Sequence, residues 1–173
     1  MKILIIRNFP SYMAVKNNTY NIQEVGLAKA LVRKGHHCDI IFWTDKEEET
    51  VDVPVDKVGT VHVFYRRGKT MLKNTVYLDC NELFERYDIL QPCEYNQMQA
   101  WMLAKKYPEK TIVYHGPYYS PFNKRYNLMC TYKDKGKMKM IQNNAHEVIE
   151  KKYTWDMVSE RFLIQYNRLL EKQ

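Results

Sequence analysis

Long apolar runs are missing from this 173-residue sequence. A membrane-spanning helix needs about 18 or more consecutive apolar residues and none comes near that length. The opening "MKILIIRNFPSY" is broken by Arg7 too early for the apolar core of a signal peptide. The expectation is a cytoplasmic protein. Cysteine is sparse: Cys38, Cys80, Cys93 and Cys130 stand far apart, with no C-x-x-C pair and no histidine at ligand spacing. That excludes the common metal-binding patterns and leaves free, mostly buried thiols, with no metal and no cofactor expected. The six glycines are scattered, and no G-x-G-x-x-G or P-loop follows an apolar run, so the usual phosphate-cradling fingerprints are absent. No internal repeat or low-complexity tract occurs.

What is present suits one domain. The chain is 45% hydrophobic and 13% aromatic, enough to bury one ordinary core but hardly two. Its net charge of +7 asks for an anionic partner. A nucleic acid, a phosphorylated substrate, an acidic membrane surface or a merely solvated basic surface would each satisfy it.

"KILII" is a short continuous apolar run suited to a central strand buried on both faces. In "NIQEVGLAKALVRKG", Ile22, Val25, Ala28, Leu31 and Val32 recur at helical spacing, and Gly35 fits the residue just past the helix end, after Arg33 and Lys34. "HCDIIFW" makes a second strand, so the chain opens on a βαβ unit of a parallel sheet. "DKEEETVDVPVDKVGT" reads as an acidic, proline-interrupted connection. "VHVFY" is a third strand, with His62 and Phe64 alternating against valines, followed by the basic stretch "RRGKTMLKNT". "DCNELFERY" reads as a short helix and "DILQP" as a strand. "YNQMQAWMLAKKY" reads as a helix with Met98, Trp101 and Met102 toward the sheet, and "TIVYHG" as a further strand. The predicted fold is α/β, a doubly wound, mainly parallel sheet with helices on both faces. Two helices close the chain, one marked by Met138, Ile141, Ala145 and Val148. The second is capped by Thr154 and marked by Trp155, Val158, Phe162, Tyr166 and Leu169.

The first strand followed by "LAKALVRKGHHCDIIF" resembles the opening of family-4 glycosyltransferases of the GT-B fold, and "YDILQPCEYNQ" and "IVYHGPY" resemble later strand ends of their N-terminal domain. The tail "NNAHEVIEKKYTWDMVSERFLIQYNRLL" is similar to the end of such enzymes, where the last helix packs back on the N-terminal domain. The resemblance implies a Rossmann-like acceptor domain over residues 1–132, a splice or linker at 133–137 and C-terminal helices over 138–173. The donor-binding domain, on the order of 150 to 200 residues, is missing between them. Its Glu-x7-Glu mark is absent, since no glutamate has another eight positions on. Where the family has Gly-Gly before the first helix, this chain has "KNNTYN", which puts close backbone approach to a donor phosphate at Asn18 and Thr19 in question.

Ligands of open α/β sheets bind beyond the carboxyl ends of the strands, which selects four segments. Asn17, Asn18, Thr19 and Tyr20 offer donors and acceptors suited to a sugar, or simply a polar loop and helix cap. Arg66, Arg67 and Lys69 would suit a phosphate on a lipid-linked acceptor, an anionic membrane surface, or solvent. Glu94, Asn96 and Gln97 would orient a sugar hydroxyl, although Glu94 also suits a helix N-terminus. The resemblance puts His115 and Gly116 at the cleft, with His115 in the catalytic place. It further implies transfer of a hexose from a nucleoside diphosphate sugar to a saccharide or lipid-linked acceptor, with retention. In the family no metal is needed, because groups of the C-terminal domain neutralise the leaving diphosphate. The nucleotide sugar would then require that missing domain, the present chain would be inactive alone, and cell-surface polysaccharide or glycolipid synthesis would be the setting. The rival readings are a stand-alone nucleotide-binding or flavodoxin-like module and a basic nucleic-acid-binding protein. The second would need aromatics interleaved with Lys or Arg on one surface; most aromatics here fall at core spacing or in the tail, so no specific nucleic acid is expected.

Overall fold

Strand β1 (Lys2–Ile6) is the axis of the molecule: Ile3, Leu4, Ile5 and Ile6 are all buried, as a continuous isoleucine-rich run requires of a strand covered on both faces. The structure, a computed structural model, describes residues 1–16, 22–71, 74–93, 97–113 and 154–171. After β1 come α1 (Gln23–Arg33), β2 (His37–Trp43), β3 (Glu49–Val55), β4 (Gly59–Arg66), β5 (Lys69–Met71) and β6 (Asn74–Val76). The described chain continues with α2 (Asn81–Glu85), β7 (Ile89–Pro92), α3 (Met98–Lys106) and a last helix, α4 (Trp155–Leu170). The main sheet has the order β3-β4-β2-β1-β7, with β1 parallel to β2 and to β7, β2 parallel to β4, and β3 antiparallel to β4. The fold is therefore α/β, with a five-stranded, mostly parallel sheet.

Successive β1 side chains feed two cores. Ile3 and Ile5 meet α1 and Tyr166 of α4, while Leu4 and Ile6 meet Leu83 and Phe84 of α2 and Leu103 of α3. Helix α1 ends where the sequence predicts: Gly35 takes φ +80, its N–H donates to Val32 O, and the His36 N–H donates to Leu31 O. This pair of bonds is a Schellman closure. The expected cap of α4 also forms, with Thr154 Oγ1 accepting from the Met157 N–H at 3.4 Å. The apolar stripe of α4 lies on α1 and the sheet, including Trp155, Val158, Phe162, Tyr166 and Leu169. Because α1 is covered by the sheet on one side and by α4 on another, its small residues Ala28 and Ala30 are fully buried.

Three expectations are corrected. The acidic connection after β2 contains a strand, β3, in antiparallel register with β4 from Glu49↔Tyr65 to Val55↔Gly59. Val51 and Val55 are buried inward, and Pro54 is tolerated because β3 is an edge strand whose outer side has no ladder to break. The basic stretch after β4 is not a plain loop: β5 and β6 pair as a small antiparallel ribbon. Helix α3 turns Gln99, Ala100 and Leu103 inward, whereas Met98 and Trp101 are exposed. The inward glutamine is possible because its Oε1 accepts from the Tyr77 N–H at 2.8 Å. Of the predicted strand after α3, the described residues show an isolated parallel bridge, Leu90↔Thr111, where Leu90 N donates to Lys110 O and Ile112 N to Leu90 O. Residues 114–153, which include the helix expected over Met138 to Val148, lie outside the described residues.

Candidate functional site

From β1 the chain winds outward through β2 to β4 on one side, and then returns to lay β7 on the other. The winding direction thus reverses between β1 and β7. Loops leaving the carboxyl ends of two such strands diverge and leave a crevice, which is where ligands of open α/β sheets bind.

The residues at that reversal are polar and buried. Asn8, two residues past β1, has no exposed surface. Its Nδ2 donates to the Cys93 carbonyl just past β7 at 2.6 Å, and its own carbonyl accepts from the Thr75 N–H of β6 at 2.8 Å. One residue thus joins the two strand exits through its side chain and the ribbon through its backbone carbonyl. Arg7 Nη1 lies 2.6 Å from Glu24 Oε1 in the first turn of α1, where the helix dipole favours a carboxylate, and its guanidinium sits over the Phe9 ring at 5.4 Å. The carbonyl of Arg7 accepts from the Tyr77 hydroxyl at 2.7 Å.

Among the described residues, four buried side-chain polar atoms have no hydrogen-bond partner: Arg7 Nε, Asn8 Oδ1, Thr75 Oγ1 and Gln97 Oε1. A buried polar group left unpaired costs about 1–3 kcal/mol, and three of these residues lie together, since Arg7 and Asn8 are consecutive and the Thr75 N–H bonds the Asn8 carbonyl. One donor, two amide acceptors and a hydroxyl match a ligand that presents several hydroxyl groups. Beside Arg7, between α1 and α4, is a cavity of about 140 Å³. Arg7, Glu24, Gln91 and Cys93 give it a polar side, and Trp155 and Phe162 an apolar one.

The loop after β1 is anchored from β4. The buried Tyr65 hydroxyl donates to Met13 O at 2.5 Å and accepts from Val15 N at 3.3 Å, and Tyr12 stacks on the Tyr65 ring. Burial pushes the Tyr65 phenol up to about 12. Lys16, 3.2 Å from Glu49, leads directly into residues 17–21.

Of the residues selected from sequence, Gln97 follows Cys93 by four positions in the chain. It is buried at the start of α3, but its side chain makes no cap bond. Arg66 and Arg67 lie at the end of β4, held by the acidic connection: Arg66 Nη1 donates to Glu49 O, and Arg67 donates through N to Glu48 Oε1 and through Nε to Lys46 O. Glu48, Asp79 and Glu82 share a cavity of about 190 Å³ with Arg66, Arg67 and Arg86, so acid and base are balanced there. Lys69 is exposed on β5. Asn17, Asn18, Thr19, Tyr20, Glu94, Asn96, His115 and Gly116 lie outside the described residues. Sequence reasoning overlooked Arg7, Asn8 and Thr75. The signal for the first two was available, since they are the first polar residues after a fully buried strand; that for Thr75 was not, because only tertiary pairing brings β6 to Asn8.

The chain matches no known protein family, no curated protein and no solved structure.

Proposed function

We propose that this chain is the Rossmann-like acceptor-binding domain of a retaining hexosyltransferase similar to family-4 glycosyltransferases, and that its crevice between β1 and β7 receives a saccharide or the sugar of a lipid-linked acceptor. The observation that carries the reading is the group of unpartnered buried atoms at Arg7, Asn8, Thr75 and Gln97, which together offer what a polyhydroxylated ligand needs. The packing of α4 on α1 supports it further, since a last helix lying back on this domain is what the resemblance implies. In this reading Asn8 and Gln97 accept from sugar hydroxyls and Arg7 donates. The resemblance further implies acceptor contacts from Asn17, Asn18, Thr19, Tyr20, Glu94, Asn96 and Gly116, and the catalytic role for His115. The nucleoside diphosphate would be held by a second domain, so this chain alone binds acceptor without transferring to it. The setting would be the cytoplasmic side of a membrane on which cell-surface polysaccharide or glycolipid is made. Among the described residues no helix is long and apolar enough to cross that membrane.

The test is a titration of isotopically labelled protein with a panel of mono- and disaccharides and of UDP- and GDP-sugars, followed by amide shifts. Expected is saccharide binding with shifts at Asn8, Thr75 and Gln97, and no nucleotide binding at comparable concentration. Tight nucleotide binding at the same crevice would instead identify a complete nucleotide-binding module.

A further inference from the structure

Helix α3 carries two apolar stripes, and the fold buries only one of them. Ala100, Leu103 and, just past the helix, Tyr107 enter the core. Met98, Trp101, Met102 and Lys105, at i, i+3, i+4 and i+7, share the other side. Trp101 is 63% exposed, more than any other large hydrophobic residue described, and Met98 and the nearby Leu78 are exposed by about two fifths. Between α2 and α3 the stripe borders an open groove of about 480 Å³ with Phe84 and Tyr107 among its walls. Lys105 and Lys106 are the charged residues of that groove, and no carboxylate lines it. Lys105 Nζ lies over the Trp101 ring at 5.3 Å, and Lys106 Nζ lies over Tyr107 while donating to Asn81 Oδ1 at 2.9 Å.

We infer that the α2–α3 face is a docking surface for an anionic phospholipid bilayer, with Trp101, Met98 and Leu78 entering the interfacial region and Lys105 and Lys106 meeting lipid phosphates. Tryptophan beside lysine is the pairing favoured at the bilayer interface, where the ring sits among the headgroups and the ammonium reaches phosphate. Charge complementarity selects an anionic surface: the groove holds cations only, and the whole chain carries +7. A protein partner would more fittingly be met by a surface of mixed charge, such as the balanced Arg66, Arg67 and Glu48 cluster. The stripe begins at Met98, five residues after Cys93 of the crevice, so docking would hold the crevice close to the headgroup layer. The inference stands without the glycosyl-transfer reading, because it rests on the outer face of α3 alone.

The experiment is flotation of the full chain with vesicles of phosphatidylcholine alone and of an equimolar mixture with phosphatidylglycerol. Three variants accompany it: Trp101→Ser, Lys105→Glu with Lys106→Glu, and Arg67→Glu with Lys69→Glu at the basic ribbon after β4. No sugar is present, so the outcome is separate from the saccharide titration. Expected is binding to the mixed vesicles that weakens with salt, weakened about tenfold or more by each α3 variant and little changed by the ribbon variant. Trp101, Lys105 and Lys106 are exposed, so these variants should fold, which circular dichroism checks. The inference is overturned by absence of binding, by equal binding to neutral vesicles, or by loss only in the ribbon variant. A dimer of the free chain that Trp101→Ser dissociates would also overturn it, by assigning the face to a second copy.

Discussion

The Tyr166 hydroxyl of α4 donates to Gln91 Oε1 of β7, across 75 residues of sequence, with both side chains buried. The bond fastens the last helix to the strand whose end forms one wall of the crevice. Tyr166→Phe keeps the ring but leaves the Gln91 carbonyl without its partner, at a cost of about 1–3 kcal/mol. Tyr166→Ala also opens a cavity beside Phe162 and should cost about 3–5 kcal/mol. Urea denaturation of the two variants checks this. A phenylalanine variant as stable as the parent would mean that Gln91 is satisfied elsewhere.

Gly26 of α1 faces the indole of Trp155, and a Cβ added there would clash with the Cε2, Nε1 and Cζ2 atoms of the ring. Alanine would raise helix propensity by about 1 kcal/mol, while forcing α4 outward should cost about 1–3 kcal/mol. Overpacking should win because Trp155 is itself held in the α1–α4 seam. Gly26→Ala is therefore expected to lower the thermal midpoint, and Trp155→Leu in the same chain to recover part of the loss. Calorimetric scans of the single and double variants decide it, and a stabilising single variant would show the seam to be loose.

These contacts mark where the sequence was legible. Strands β1 and β2, helix α1 with its stop at Gly35, and α4 with its cap at Thr154 are written in local period and local capping, and they stand as expected. Strand β3 was hidden by Pro54 and an acidic run, whose tolerance depends on an edge position that only the assembled sheet provides. The face of α3 was reversed because both of its sides carry a helical apolar stripe. What decides between them is the Tyr77 N–H, which supplies a partner for a buried Gln99. Gln97 could be named because it begins a helix after a strand. The role of Asn8 depends on Thr75 and Cys93, far along the chain, and no local pattern announces such a junction.

The unpartnered atoms give the crevice a testable signature. If Thr75 Oγ1 and Gln97 Oε1 await a ligand, the free chain bears their desolvation, and near-isosteric apolar replacements relieve it. Thr75→Val and Gln97→Met should each stabilise the unliganded protein, by up to about 1–3 kcal/mol, while weakening saccharide binding. Thermal midpoints and saccharide titrations on the same samples read both effects. A loss of stability in both variants would show that each atom already has a partner within the chain.

Alkaline pH should unfold the protein by way of its buried acids. Burial raises the Cys80 thiol from 9.0 to about 11 and the Tyr65 phenol from 10.0 to about 12. The phenols of Tyr77, Tyr87 and Tyr166 are raised by burial as well, with Asp39 adding to the rise at Tyr87. In each case the folded chain keeps a proton that the unfolded chain gives up, so stability declines as pH rises through the interval between the two values. The contribution is intact below pH 9.0, is lost first across the Cys80 interval and then from 10.0 to about 12 for Tyr65. Tyr65→Phe separates the parts. Without its bonds to Met13 and Val15 the variant should be less stable at neutral pH, yet show a shallower decline over the Tyr65 interval. Urea midpoints in pH steps, with phenolate absorbance recorded alongside, make the comparison. Phenols that ionise at the ordinary tyrosine value while the chain stays folded would contradict the burial assigned to them.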